Sequence, residues 1–182
     1  MNLKTQRITT VGVLTALSLI LMVLVKFPLI PTAPFLLYEP GDIPILMISF
    51  IFGPLPALIS TFISSVLMAV ITGQGGPYGA LMHFIATGAF VGVAGLVYQK
   101  KHDKKGAIYA LISGSLTMTL IMIPANLIIT PLYLGVNYNI VAKMLLPAII
   151  PFNLLKTIIN SIFTFLIYKK LVKFLSDRNL IK

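Results

Sequence analysis

Residues 147–168 read PAIIPFNLLKTIINSIFTFLIY. The run is long and apolar enough to cross a bilayer, which takes about 20 such residues, yet it carries Asn153, Lys156 and Asn160. At roughly 100° per residue these three share one helical face. Lys156 lies nine residues beyond Pro147, a depth of ~14 Å at ~1.5 Å per residue, or ~8 Å if the helix starts at Pro151. An ammonium facing lipid near the midplane costs at least ~2.5–3.5 kcal/mol, part of which snorkelling recovers. A lone lysine could snorkel, but a lysine with an asparagine on either side of it along the face makes a polar stripe. Such a stripe on a membrane helix faces a cavity or a partner. The stretch therefore predicts a membrane protein with a ligand site inside its helix bundle.

Composition agrees. The chain has 182 residues, 58% hydrophobic and 10% charged, with mean hydropathy +1.00, which excludes an ordinary soluble domain. It predicts one integral membrane domain over 1–182. Cysteine is absent, so there is no disulfide and no thiolate metal site. The net charge of +10 sits in short tracts between apolar runs. That favours orientation against an anionic leaflet over nucleic-acid binding. MNLKTQR leads into a full-length apolar span with no small-residue cleavage site and reads as a retained helix rather than a signal peptide.

The first helix is expected over 8–27, with Gly12 and Ala16 as a small-xxx-small pair that lets another helix approach closely. Residues 28–40, PLIPTAPFLLYEP, hold too many prolines for a helix. They are too apolar and irregular to face lipid, where backbone groups would go unpaired. This segment reads as a lid ending in Glu39. Asp42 then reads as an N-cap with Pro44 in the first turn, and helices are expected over 43–52 and 57–71, broken by Gly53-Pro54-Leu55-Pro56. Counting these two separately places Lys4, Arg7 and the tract Lys100-Lys101-His102-Asp103-Lys104-Lys105 on one side, the cytoplasm. Further helices are expected over 78–98, 107–129 and 147–170, with an outer turn at 73–77 and an outer connection at 130–146 that contains a short interfacial helix. The fold class is thus an all-α, compact six-transmembrane-helix bundle with an extracellular lid and both termini cytoplasmic. Eleven of the fourteen lysines and arginines fall on the cytoplasmic side of this layout, including Lys169, Lys170, Lys173, Arg178 and Lys182.

Glu39, Asn126 and the upper part of the last helix converge toward the outer half, under the lid. His83 reads as a hydrogen-bonded structural residue, with no second ligand at metal spacing. Phosphate-binding glycine loops, zinc helices and nucleophile elbows are absent from the sequence, and Ser60, Ser64 and Ser65 have no evident base. The chain has a place to bind something and no visible engine. The residues leave open a stand-alone ion-coupled transporter titrating Glu39, Asp42 and Lys156, or a small membrane enzyme or assembly factor. The first lacks acids in the inner half of its helices and the second lacks a catalytic set.

The lid, the run Glu39-Pro40-Gly41-Asp42-Ile43-Pro44 followed by Gly53-Pro54, and the Asn153-x-x-Lys156 pair resemble the substrate-binding membrane subunits, or S components, of energy-coupling-factor (ECF) vitamin transporters, most closely those specific for riboflavin. The first helix shows Gly12-x-x-x-Ala16 where the family often has Ala-x-x-x-Ala. The resemblance implies a bacterial plasma-membrane protein that is not an enzyme and has no cofactor. It captures riboflavin from outside and works with a transmembrane coupling subunit and two ATPases. It also implies ligand contacts at Glu39, Asn126, Asn153 and Lys156. Isoalloxazine wants apolar walls, which Phe35, Tyr38, Tyr78 and Met82 could supply, unless these aromatics merely pack the lid or the interfacial belt.

Overall fold

A computed structural model describes residues 3–73 and 75–177, and the side chains of Lys169 and of 171–177 are outside that description. Arg178 and Lys182, counted above as cytoplasmic charges, therefore lie beyond the described residues.

The chain is almost entirely helical: α1 (Leu3–Leu24), α2 (Asp42–Phe52), α3 (Pro54–Thr72), α4 (Gly76–Lys100), α5 (Lys104–Leu134), α6 (Tyr138–Met144) and α7 (Ile150–Asp177). Among the described residues five segments, α1, α3, α4, α5 and the continuous stretch from α6 into α7, are long and apolar enough to cross a membrane. The sixth expected span, α2, has 11 residues, or ~16 Å at ~1.5 Å per residue. Its apolarity explains its place. DIPILMISFIF is hydrophobic all round, and every residue from Asp42 to Phe50 is buried, as expected for a helix enclosed by others. It packs against α1, α3, α4 and α7, while α1, α3, α5 and α7 turn isoleucine, leucine and valine side chains outward.

Lipid removes most of the hydrophobic drive between helices, so close packing and interhelical hydrogen bonds hold the bundle. Ser49 donates to the Val91 carbonyl at 2.6 Å, Thr15 to Ser60 at 2.8 Å, and Ser18 to the Gly41 carbonyl at 2.7 Å. Arg7 donates to the Phe52 carbonyl at 2.9 Å, and the Tyr98 and Tyr168 hydroxyls meet at 2.6 Å. These contacts place the start of α1, the end of α2, the end of α4 and the lower part of α7 at one end of the bundle. At that end Asp103 caps α5, accepting from the Gly106 N–H at 2.6 Å, and this bond holds its exposed carboxyl below the usual carboxylate range.

Several expected boundaries move for local reasons. The break after α2 is Gly53 alone, at φ 94°, a backbone region open to glycine. Pro54 and Pro56 fall into the first turn of α3, where a missing N–H costs nothing. Helix α5 runs through Pro124 and Pro131 to Leu134 instead of stopping at 129, since membrane helices tolerate proline when neighbours satisfy the freed carbonyl. It ends at Gly135, φ 65°. Before α7, residues Leu145–Ile149 form a π-helical turn around Pro147. Asp42 is not the N-cap: Gly41 holds that position without a side-chain bond, and the Asp42 carboxylate turns inward.

The proline-rich segment is a hairpin. Strands β1 (Phe27–Pro28) and β2 (Leu37–Tyr38) pair antiparallel, Phe27 opposite Tyr38, and Ala33 is buried at its tip.

Candidate functional site

At the end opposite the Arg7–Phe52 contact, the hairpin, the α3–α4 turn, the upper part of α5 and the start of α7 enclose a cavity of about 870 Å³ counting its open mouth. Phe35, Leu36 and Leu37 come from the hairpin, Tyr78 and Met82 from α4, Met118, Met122 and Ile129 from α5, and Phe152 from α7. The polar groups among its lining are Glu39, His83, Asn126, Thr130, Tyr133, Asn153 and Lys156.

Each helix spends part of a polar side chain on itself and leaves part for the cavity. Asn126 donates one amide N–H to the Met122 carbonyl at 2.8 Å and accepts from Thr130 at 2.9 Å, which leaves one N–H. Asn153 donates to the Ile149 carbonyl at 2.8 Å and keeps its second N–H and its oxygen. The Lys156 ammonium lies 3.5 Å from Glu39 Oε1 and 3.5 Å from Asp42 Oδ2. It is therefore a paired interior charge, 4% exposed, and does not snorkel.

Behind the cavity wall lies a second polar layer centred on Asp42, which is fully buried. A buried carboxylate requires partners, and Asp42 accepts from Thr87 at 2.7 Å and from the Asn160 amide at 2.9 Å. Asn160 thus serves Asp42 rather than Lys156, and its oxygen accepts from the Tyr38 hydroxyl at 2.9 Å. Tyr38 is accordingly not a cavity wall. It is 4% exposed, its ring rests on Phe27 with centroids 5.2 Å apart, and it anchors the hairpin to α7. Phe35, Tyr78, Met82, Glu39, Asn126, Asn153 and Lys156 line the cavity together.

Sequence reasoning gave Ser65 no base, but its hydroxyl lies 2.7 Å from His83 Nδ1. A signal was present. Ser65 stands eight residues before Gly73, which ends α3, and His83 eight residues after Gly75, which precedes α4, so an antiparallel helix pair brings them level. Ser65 also donates to the Thr61 carbonyl at 2.7 Å. Among the described residues no group of three or more His, Asp and Glu could hold a metal ion.

A family model of the substrate-specific component of ECF transporters matches residues 6–168. The chain belongs to that family. It is an S component, a transporter subunit and not an enzyme. A solved structure described as the S component of a bacterial ECF transporter superposes with a TM-score of 0.80 at 30% identity, covering 94% of this chain and 98% of that one. Among curated relatives, the riboflavin transporter RibU of Staphylococcus aureus is 30% identical over 94% of this chain and 93% of its own length. The riboflavin transporter FmnP of Bacillus subtilis is 28% identical over 93% of each. RibU of Streptococcus thermophilus is 31% identical over 92% of this chain and 83% of its own.

The S component's exposed α1 face carries Gly12 and Ala16. A side chain built at Gly12 would meet nothing within 4 Å, and Ala16 is exposed.

Proposed function

We propose that this S component captures riboflavin from outside a bacterial cell and delivers it inward when joined to a transmembrane coupling subunit and two ATPases. The observation that carries the reading is the cavity: apolar and aromatic walls with a few donors and acceptors, closed by a hairpin. A flat ring edged by carbonyls and ring nitrogens fits between Phe35, Tyr78, Met82 and the α5 methionines. The remaining N–H groups of Asn126, Asn153 and Lys156 meet its acceptors, and Glu39 accepts from ribityl hydroxyls. The riboflavin-named relatives support the choice of vitamin.

The same reading puts the hairpin outside and the Lys100–Lys105 end in the cytoplasm. Support comes from the clustering of Lys4, Arg7 and that tract at the end away from the cavity. Gly12 and Ala16 form the docking surface for the coupling subunit, since they are exposed and leave room for a close helix approach.

The test is a titration. Purified protein should be yellow or should quench riboflavin fluorescence on mixing, with one site per chain. A colourless protein that leaves riboflavin fluorescence unchanged would refute the vitamin assignment.

A further inference from the structure

Four ionisable side chains meet beneath the hairpin: Glu39, Asp42, His83 and Lys156. Lys156 accounts for one positive charge against two carboxylates. The hydrogen bonds around His83, on α4, account for the rest. We assign the single hydroxyl hydrogen of Ser65, from α3, to the Thr61 carbonyl at 2.7 Å, an assignment under which Ser65 Oγ accepts at His83 Nδ1, 2.7 Å away. Nδ1 therefore carries a hydrogen. On the other side of the ring, Nε2 faces Glu39 Oε1 at 3.6 Å, Asp42 Oδ1 at 3.7 Å and Thr87 Oγ1 at 3.4 Å. Thr87 has already given its hydrogen to Asp42 at 2.7 Å. Among the described residues Nε2 thus faces three acceptors and no donor, and a lone pair there would oppose all three. A neutral imidazole has one donor and one acceptor nitrogen, whereas only the doubly protonated ring donates at both.

We propose that His83 is a cationic positioning residue for ligand capture. Its imidazolium completes a charge-neutral quartet with Glu39, Asp42 and Lys156, and holds the hairpin's carboxylate over the cavity. Glu39 Oε1 is gripped from one side by His83 on α4 and from the other by Lys156 on α7. That leaves the second carboxylate oxygen to the ligand and ties the hairpin to two helices at once. Ligand escape then requires Glu39 to part from His83, so losing the imidazole speeds release more than it slows capture. The inference rests on the riboflavin reading above and adds a residue that the ligand need not touch.

Two measurements test it. The chain has two histidines, His83 and His102, and His102 lies outside the helices in the loop before α5. Imidazole 15N NMR at neutral pH, assigned with His83→Gln, should show both His83 nitrogens protonated. A spectrum with one bare nitrogen overturns the proposal and needs no stable variant beyond the one used for assignment. Second, riboflavin affinity is compared across His83→Leu, Glu39→Gln and the double variant, with thermal unfolding of each recorded. His83→Leu should weaken binding about tenfold or more, mostly through faster release, because the buried Glu39 carboxylate loses an ionic partner 3.6 Å away. His83→Gln, which keeps a neutral N–H donor group, should recover part of the loss. In the Glu39→Gln background the further loss from His83→Leu should shrink to about threefold or less, because coupled partners are not additive. Equal losses in both backgrounds mean that His83 only fills space and overturn the proposal, while the riboflavin reading stands. Wild-type protein that ignores riboflavin overturns both.

Discussion

Lys156→Met replaces a buried ammonium by a thioether of similar length. On a snorkelling lysine the change would be harmless or slightly stabilising. Here the ammonium lies 3.5 Å from each of two carboxylates, Glu39 and the fully buried Asp42. Each contact is worth about 5 kcal/mol at an effective dielectric of about 20, against a desolvation penalty of several kcal/mol per ion. Breaking such a buried arrangement by removing one partner costs about 3–5 kcal/mol, because the other charges stay behind uncompensated. The variant should therefore be destabilised by about that amount when unfolding of the purified subunit is followed by circular dichroism. Lys156→Met combined with Asp42→Asn should be less destabilised than the sum of the two single changes, since the charge left behind is gone. Riboflavin binding should weaken as well, by about ten- to a hundredfold for the lost charged donor. Wild-type stability in Lys156→Met would refute the paired-charge account of the site. Unchanged affinity with lowered stability would make Lys156 a scaffold residue and remove it from the ligand's contacts.

Tyr38→Phe keeps the ring against Phe27 and removes the hydroxyl that donates to Asn160. It should cost about 1–3 kcal/mol in chemical unfolding, the penalty of a buried acceptor left unpaired. Unchanged stability would mean that the hairpin is not anchored there. Gly12→Leu with Ala16→Leu should leave folding and riboflavin binding of the isolated subunit intact, because a side chain at Gly12 meets nothing within 4 Å and Ala16 is exposed, and should abolish co-purification with a coupling subunit. Loss of binding would instead assign the pair to the subunit's own packing. The chain has no cysteine, so Asp103→Cys is a clean topology probe. It should resist an impermeant thiol reagent applied outside intact cells and react after permeabilisation, and labelling from outside would invert the proposed orientation.

The membrane class, the helical architecture and the polar stripe of α7 were legible in the sequence because each depends on local pattern. A run of apolar residues must enter lipid wherever it sits, and Asn153, Lys156 and Asn160 share a face by helical geometry alone. The proline-rich segment was legible as non-helical for the same reason: four prolines forbid the alternative. What tertiary structure decided was the partner of each polar group. Asp42 looked like a helix cap because a carboxylate at that position usually binds backbone N–H groups. It is instead fully buried, and its partners come from α4 and α7, 45 and 118 residues away. Tyr38 looked like a ligand wall because aromatic rings often are, and the Asn160 amide drew it into the second layer. Helix α2 was expected to span the bilayer because counting it as a separate crossing puts Lys4, Arg7 and the 100–105 tract on one side. Packing enclosed it on all sides, which let it be short and left the upper layer to the hairpin. Burial makes polar partners obligatory, but which partners depends on helices meeting across distances that no local pattern encodes.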